Sequence, residues 1–450
     1  LCLAATPPAL DLEPRPFDLI VLNVELFRAD HVGLITGEPG LTPNIDHFFG
    51  TGIVFTDASA PAGATYLSAT AIATGTEAAL NDHELTHLGE AINEAVARDG
   101  KRVVDHLPTI AETLQQNGWR TVALNEWRHT GSEVFLDRGF DEFIQIRSPE
   151  RAVETSPDAV TLFTAQVDQL LVLLDQQGDR RVYLYFHPNS LHYPLPLPLE
   201  RARRDPELWA ELEPLADVHE HFVSVHPRHM RARGAAEAQV RSLTRRMYSE
   251  QIRYVDDELG RIFAALEESG RLERTVVVLH ANHGIGLFDN DVAIMGVLYQ
   301  SCVHVPLLIR HPGVRTEVRV ETPVSLVDLA ATLYELLGVS TRVPIPGHSL
   351  VPVARGLPYG RETILGSDIQ TEYVRRGDWK LIVTASDSRE LYDLSRDPGE
   401  TDDLYDPQLE IVRLLEAELR RRKLEQIQLR VDLSQRLGIE EGARADAPAR

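Results

Sequence analysis

The chain is poor in cysteine: Cys2 and Cys302 are the only two in 450 residues. That excludes a disulfide framework and a zinc site built on thiolates. No stretch approaches the run of about 18 apolar residues that would read as a membrane-spanning helix. Positive charge is scarce as well, with 45 Lys and Arg against 68 Asp and Glu and a formal net charge of −23. Such a surface repels polyanions, which excludes nucleic acid and anionic membranes as natural partners. An anionic substrate would need local positive charge, most readily from a metal ion. Internal repeats are missing too. What is present is an ordinary globular composition, 43% hydrophobic and 25% charged. The length exceeds one simple core and favours a large domain with a smaller one. The opening LCLAATPPAL has no Met. It is expected to be the remnant of an export signal, with Cys2 as a lipid-anchor site and a periplasmic or extracellular location.

Short apolar runs alternate with helical periodicity. FDLIVLNV (Phe17–Val24), RTVALN, RRVYLYFHP, RTVVVLHA and VPLLIRHPG read as strands buried on both faces. Between them, Thr109 and Glu112 are spaced for a capping box, with Asn117-Gly118 ending that helix. A second helix is expected from Ser156-Pro157 through Leu174. The longest carries Tyr248, Ile252, Val255, Leu259, Ile262 and Leu266 on one face and stops at Gly270, and VSLVDLAATLYELLG reads as another. The expected fold is α/β: a large mixed, mostly parallel sheet flanked by helices, plus a small C-terminal α+β domain with an antiparallel sheet. The expected boundaries are a leader or linker over 1–16, the α/β domain over 17–354, the small domain over 355–437 and a disordered tail over 438–450.

Ligands gather beyond the carboxyl ends of parallel strands, which singles out the loops NVELFRADH and HANHG. Glu25 closes the first strand, as a catalytic or metal-binding carboxylate or as an ordinary surface residue. Arg28 and Asp30 are expected to pair with each other. Asn282 and His283 follow a strand end beside flexible glycines, as metal donors or structural groups. In the loop FHPNSLHYPLPLP, His192 is the catalytic candidate and His187 its competitor. PAGATYLSATAIATG is a loop that becomes a helix, with Thr65, Tyr66 and Ser68 in its first turn. A hydroxyl there is either a helix cap or a nucleophile. The basic cluster Arg228–Arg246 reads as a solvated face.

In their order along the chain these segments resemble the sulfatase branch of the alkaline phosphatase superfamily, from about Phe17 to Asp406. The likeness rests on NVELFRADHVG, the segment TPNIDHFFGTGIVFTDASAPAGATYLSATAIATG, PTIAETLQQNGWRTVAL and RGFDEF. It continues in YVDDELGRIFAALEESGRLERTVVVLHANHG, VPLLIRHPG, VSLVDLAATLYELLG and ELYDLSRDPGETDDL. The resemblance implies an alkaline-phosphatase-like fold and an ester hydrolase or transferase. It places the nucleophile ten residues before the glycine of a Thr-Gly pair, which counted from Gly75 is Thr65. Threonine cannot be oxidised to formylglycine, so that mechanism is closed, while direct attack by an unmodified, metal-activated hydroxyl stays open.

By the same resemblance Glu25, Thr65, Asn282 and His283 would hold one divalent metal, and His192 matches the loop histidine. With a single carboxylate, calcium or magnesium would bind weakly, and zinc or manganese would suit the mixed donors better. Leu26 stands where a second acid is sometimes found, Ala69 where the motif has Arg, Glu126 where a Lys is expected, and Thr76 where Lys or Arg is common. IMGVLYQS likewise lacks the basic residue usual before Leu-Tyr. The implied partner is a small anionic ester or an ester-bearing glycan or lipid, turned over weakly. The alternative is a pseudoenzyme that binds a ligand or partner through the same pocket. The segment from Asp82 to Asp105 departs from the family spacing, and Pro206–Met230 is expected as an insert over the pocket mouth.

Overall fold

A computed structural model describes residues 10–78, 107–126, 136–146 and 162–437, apart from 177, 179, 342, 344, 369 and 370. Its frame is a nine-stranded sheet. In chain order the first strands are β1 (Asp18–Asn23), β2 (Ile53–Ser59), β3 (Arg120–Asn125), β4 (Glu142–Gln145) and β5 (Val182–His187). β6 (Leu197–Pro198), β7 (Asp217–Val218) and β8 (Phe222–Ser224) form a separate small sheet. The large sheet resumes with β9 (Thr275–His280), β10 (His304–Arg310), β11 (Val318–Val320) and β12 (Val324–Ser325). Across it the order is β11-β2-β10-β9-β1-β5-β3-β4, with β12 beside β2. Among the described strands of this sheet only β10 runs against the rest. The expected mixed, mostly parallel architecture is what the chain adopts.

Every residue of β1 and β9 is buried, as an unbroken apolar run between two helical layers requires. On one layer lies the Glu237–Glu268 helix, where Tyr248, Ile252, Val255, Leu259, Ile262 and Leu266 are all buried. Thr109 and Glu112 form the expected reciprocal cap of the Ile110–Gln116 helix. Two expected helices differ in extent. The described helix after β4 spans Phe163–Asp175, and Ser156 and Pro157 lie outside the described residues. VSLVDLAATLYELLG is not one helix: Val324 and Ser325 pair with β2, and the helix is Leu329–Leu337. The break follows from Ser325, whose hydroxyl accepts the Val327 amide and turns the chain between the two.

The C-terminal strands β13 (Ile364–Ser367), β14 (Thr371–Arg376), β15 (Trp379–Thr384) and β16 (Arg389–Asp393) form an antiparallel sheet in that order. Alternation along these strands splits their side chains between two faces. Tyr373, Ile382 and Tyr392 join the main core, whereas Val374, Leu381 and Leu391 pack with Val412, Leu415 and Leu419 of the Glu410–Leu437 helix. Arg361 and Lys380 are buried at this junction and paired with acids. Arg361 reaches Glu77 at 2.6 Å and Asp328 at 2.7 Å, and Lys380 reaches Glu400 at 2.7 Å.

Candidate active site

Sheet register brings the site together. Asn23 of β1 pairs with His280 of β9, and Asn125 of β3 pairs with His187 of β5, so these parallel strands end level with one another. The chain leaves β1 through Glu25 and turns at Leu26, which holds a positive φ of 62°. It leaves β9 through Asn282 and His283. Thr65 opens the Thr65–Thr74 helix that follows β2. A glycine is required just before it: a Cβ on Gly63 would lie 2.2 Å from the Val297 carbonyl oxygen. That close approach seats the IMGVLYQS loop against the turn before Thr65.

Glu25, Thr65, Asn282 and His283 therefore converge, as the resemblance implies. The Thr65 hydroxyl donates to Glu25 Oε1 and lies 3.0 Å from His283 Nε2. On Glu25 Oε2, the Asn282 amide donates at 3.0 Å and His187 Nε2 lies at 2.6 Å. Asn282 Oδ1 accepts the His283 backbone amide at 3.1 Å, and its carbonyl accepts from Ser68. His283 Nδ1 is 2.8 Å from the Gly284 carbonyl. In its neutral form this histidine gives its Nδ1 proton to that carbonyl and turns a bare Nε2 towards Thr65, a tautomer inferred from the hydrogen-bond network. The Thr65 proton then has two bases within reach.

The cap reading of Thr65 does not hold. The N-cap of its helix is Ala64, which makes no side-chain cap, and the Thr65 hydroxyl is engaged by Glu25 and His283. Glu25 is fully buried. Burial raises its pKa, but the hydrogen bond with His187 at 2.6 Å, joined by His283 at 3.4 Å when that imidazole carries a proton on Nε2, outweighs this and holds it well below the ordinary carboxylate range. Glu126 goes the other way. Burial and the nearby Glu25 charge push it up to about 8, against a 2.6 Å hydrogen bond from the Asn189 amide to its Oε2. Its Oε1 is buried with no partner among the described residues.

His187 is the histidine that reaches Glu25. It is the last residue of β5, and the regular spacing of a strand end was the signal that could have favoured it over His192. His192 is buried in the following loop, with Nδ1 2.8 Å from the Tyr193 carbonyl. Ala69 lines an apolar cavity of about 50 Å³ with Val21, Asn23, Ile72, Tyr183 and His280, where the resemblance expects an arginine. Thr76 bonds Thr74 at 2.7 Å. Arg28 pairs with Asp30, as expected, but also with Asp289 at 2.7 Å and with the Ile285 carbonyl at 3.1 Å. It is a strap across the loop after His283.

The Pro206–Met230 segment supplies β7 and β8, and the Val225 amide donates to the Pro194 carbonyl at 2.7 Å, so it packs on the His192 loop. Segment 82–105 lies outside the described residues. Arg231, Arg233, Arg241, Arg245 and Arg246 of the basic cluster are paired with surface acids. Among the described residues no group of three or more His, Cys, Asp or Glu is arranged to hold a metal ion, and no helix is long and apolar enough to cross a membrane.

Comparison with known proteins places this geometry. The family profile described as Sulfatase matches residues 18–339. Arylsulfatase K of Danio rerio is 31% identical over 178 residues, 36% of this chain and 34% of the relative. Choline-sulfatase of Rhizobium meliloti is 29% identical over 169 residues, 36% of this chain and 33% of the relative. The matched segments thus span about a third of these relatives' length. Among solved structures, phosphonate monoester hydrolase of Agrobacterium radiobacter superposes with a TM-score of 0.69 at 19% identity, covering 92% of this chain and 96% of that one. A 2-O GAG sulfatase gives 0.68 at 17% identity, covering 94% of each chain. At these identities the structural likeness carries the fold alone.

Proposed function

The chain belongs to the sulfatase family of the alkaline phosphatase superfamily, and from that premise we propose that it is an ester hydrolase or transferase with Thr65 as its nucleophile. Its substrates would be sulfate-type or phosphate-type esters, phosphonates included, either small or carried on a glycan or lipid. One observation carries this reading: the Thr65 hydroxyl is hydrogen-bonded to a buried carboxylate and lies 3.0 Å from an imidazole nitrogen. That is a nucleophile beside its base, with the base oriented in turn by His187 and Asn282. Thr65 keeps 6% of its surface exposed while Glu25, Asn282 and His283 keep none, so Thr65 is the residue of the set that borders open space.

The family generally uses a metal ion. The donor set here does not fit one, because the carboxylate is single and both of its oxygens already accept protein donors, so no step is routed through a metal. As Thr65 Oγ1 attacks sulfur or phosphorus, its proton passes to Glu25 and the bond to the leaving oxygen breaks. Thr65 lies in the first turn of a ten-residue helix, where the backbone dipole favours the developing negative charge. Glu126, protonated at neutral pH, and His192 are the proton donors on offer to the leaving oxygen. Water then cleaves the threonyl ester and restores Thr65. A carboxylate held at low pKa is a weak base, so turnover is slow.

A second reading is a pseudoenzyme that binds the same ligands without turnover. It is favoured by Ala69 and Glu126 standing where the resemblance expects cations, each lost charge-assisted bond weakening anion binding by about 1.5–3 kcal/mol. An aryl ester assay separates the two. We expect Thr65→Ala to fold normally and to lose turnover of aryl sulfate and aryl phosphate by at least about 100-fold. An unchanged rate removes Thr65 from the reaction. Binding without product in the parent chain establishes the pseudoenzyme. A periplasmic or extracellular location, common in the family, is part of the same proposal.

A further inference from the structure

We propose that this site is built to work without a resident divalent ion, with His187 as the positioning residue that does a cation's work on Glu25. The arrangement serves the site equally whether it turns over ester or only binds it.

The hydrogen bonds leave little for a metal to take. Glu25 Oε1 receives the Thr65 hydroxyl, and Oε2 receives His187 at 2.6 Å and Asn282 at 3.0 Å. A metal would have to displace these donors from a carboxylate that is wholly buried. Asn282 cannot assist. Its Oδ1, the one amide atom able to ligate, accepts the His283 backbone amide at 3.1 Å, and its NH₂ faces the carboxylate. Rotating the amide would set Oδ1 against a carboxylate oxygen and strand the His283 N–H. Ser68 pins the Asn282 backbone in place through its carbonyl. Leu26, where the resemblance sometimes has a second acid, is completely buried. Hard cations need about six to eight oxygen ligands, and this cluster offers one carboxylate whose oxygens are taken. His187 needs only its Nε2 proton to hold Glu25, so the arrangement requires no change of protonation.

Elemental analysis and thermal unfolding of the full chain test this. After dialysis against zinc, manganese or calcium, the parent should retain no more than about a tenth of an equivalent, and neither EDTA nor added metal should move its Tm. Close to one equivalent of retained metal, with a Tm that falls in EDTA, overturns the proposal. His187→Ala opens Oε2 and should gain a metal-dependent rise in Tm. His187→Gln, whose side-chain amide donates in the same place, should behave like the parent. A metal response in His187→Gln equal to that of His187→Ala, or none in a folded His187→Ala, removes His187 from the role. Should His187→Ala fail to fold, the parent's metal content and His187→Gln still decide the matter.

Discussion

At the junction with the small sheet the chain buries cations, and at the carboxyl edge of the large sheet it buries carboxylates. Arg361 and Lys380 meet Glu77, Asp328 and Glu400 in direct ion pairs, and Arg375 meets Asp57 at 2.6 Å. Glu25, by contrast, is satisfied by a hydroxyl, an amide and an imidazole. Glu126 takes the Asn189 amide and a side-chain hydrogen bond from Gln166, yet its pKa is pushed up to about 8, mainly by burial. Burying a charge is tolerated when a partner of opposite sign or enough donors replace water. The junction uses the first solution and the site the second. Among the described residues, the junction thus meets its buried acids with cations, while Glu25 and Glu126 are met by neutral donors.

The sharpest break in this contrast is Arg361→Ala. It removes the guanidinium shared by two buried carboxylates, leaving Glu77 only Arg422 and Asp328 only the Tyr359 hydroxyl and the His348 amide, so we expect unfolding in urea to reveal a loss of about 3 kcal/mol. A loss below about 1 kcal/mol would mean that the junction tolerates unpaired acids as the site does. Glu126→Gln has an effect that depends on pH. The folded carboxyl holds its proton to about pH 8, whereas the unfolded one releases it near its ordinary value of 4.5. The stability this group contributes is thus complete below the lower value and lost as pH rises to the upper one. Gln cannot ionise, so the variant should gain on the parent steadily from about pH 4.5 to 8 and then level off, a trend that chemical unfolding at several pH values reads directly. A flat difference would show that Glu126 is ionised in the folded chain. Smallest of all should be Arg245→Ala, which removes a half-exposed pair to Asp289 at 3.1 Å. A change in unfolding free energy within about 0.5 kcal/mol is expected, and a larger one would place the basic face among the structural pairs.

Much of this was legible before the fold was in hand. Buried strands announce themselves as apolar runs, and the Thr109–Glu112 cap and the face of the long helix are set by spacing within a few turns. Thr65, Glu25, Asn282 and His283 were found by their order along the chain. The errors lie where a local signal was ambiguous. VSLVDLAATLYELLG has helical periodicity throughout, yet Ser325 turns its start into a strand beside β2. The choice between His187 and His192 is not among these: His187 stands at the strand end and reaches Glu25, and His192 keeps its proposed part in the reaction.

The sequence by itself determined the layered α/β frame, the place of the hydroxyl at a helix start and the shortage of cations around it, because each depends on residue type and short-range period. Only the tertiary structure decided which histidine holds Glu25, which way the Asn282 amide turns and which acids neutralise Arg361. The physical reason is that hydrogen bonding is directional and acts over about 3 Å, while the groups concerned lie 162, 257 and up to 284 residues apart in the chain. Sheet order and register alone bring them within that reach.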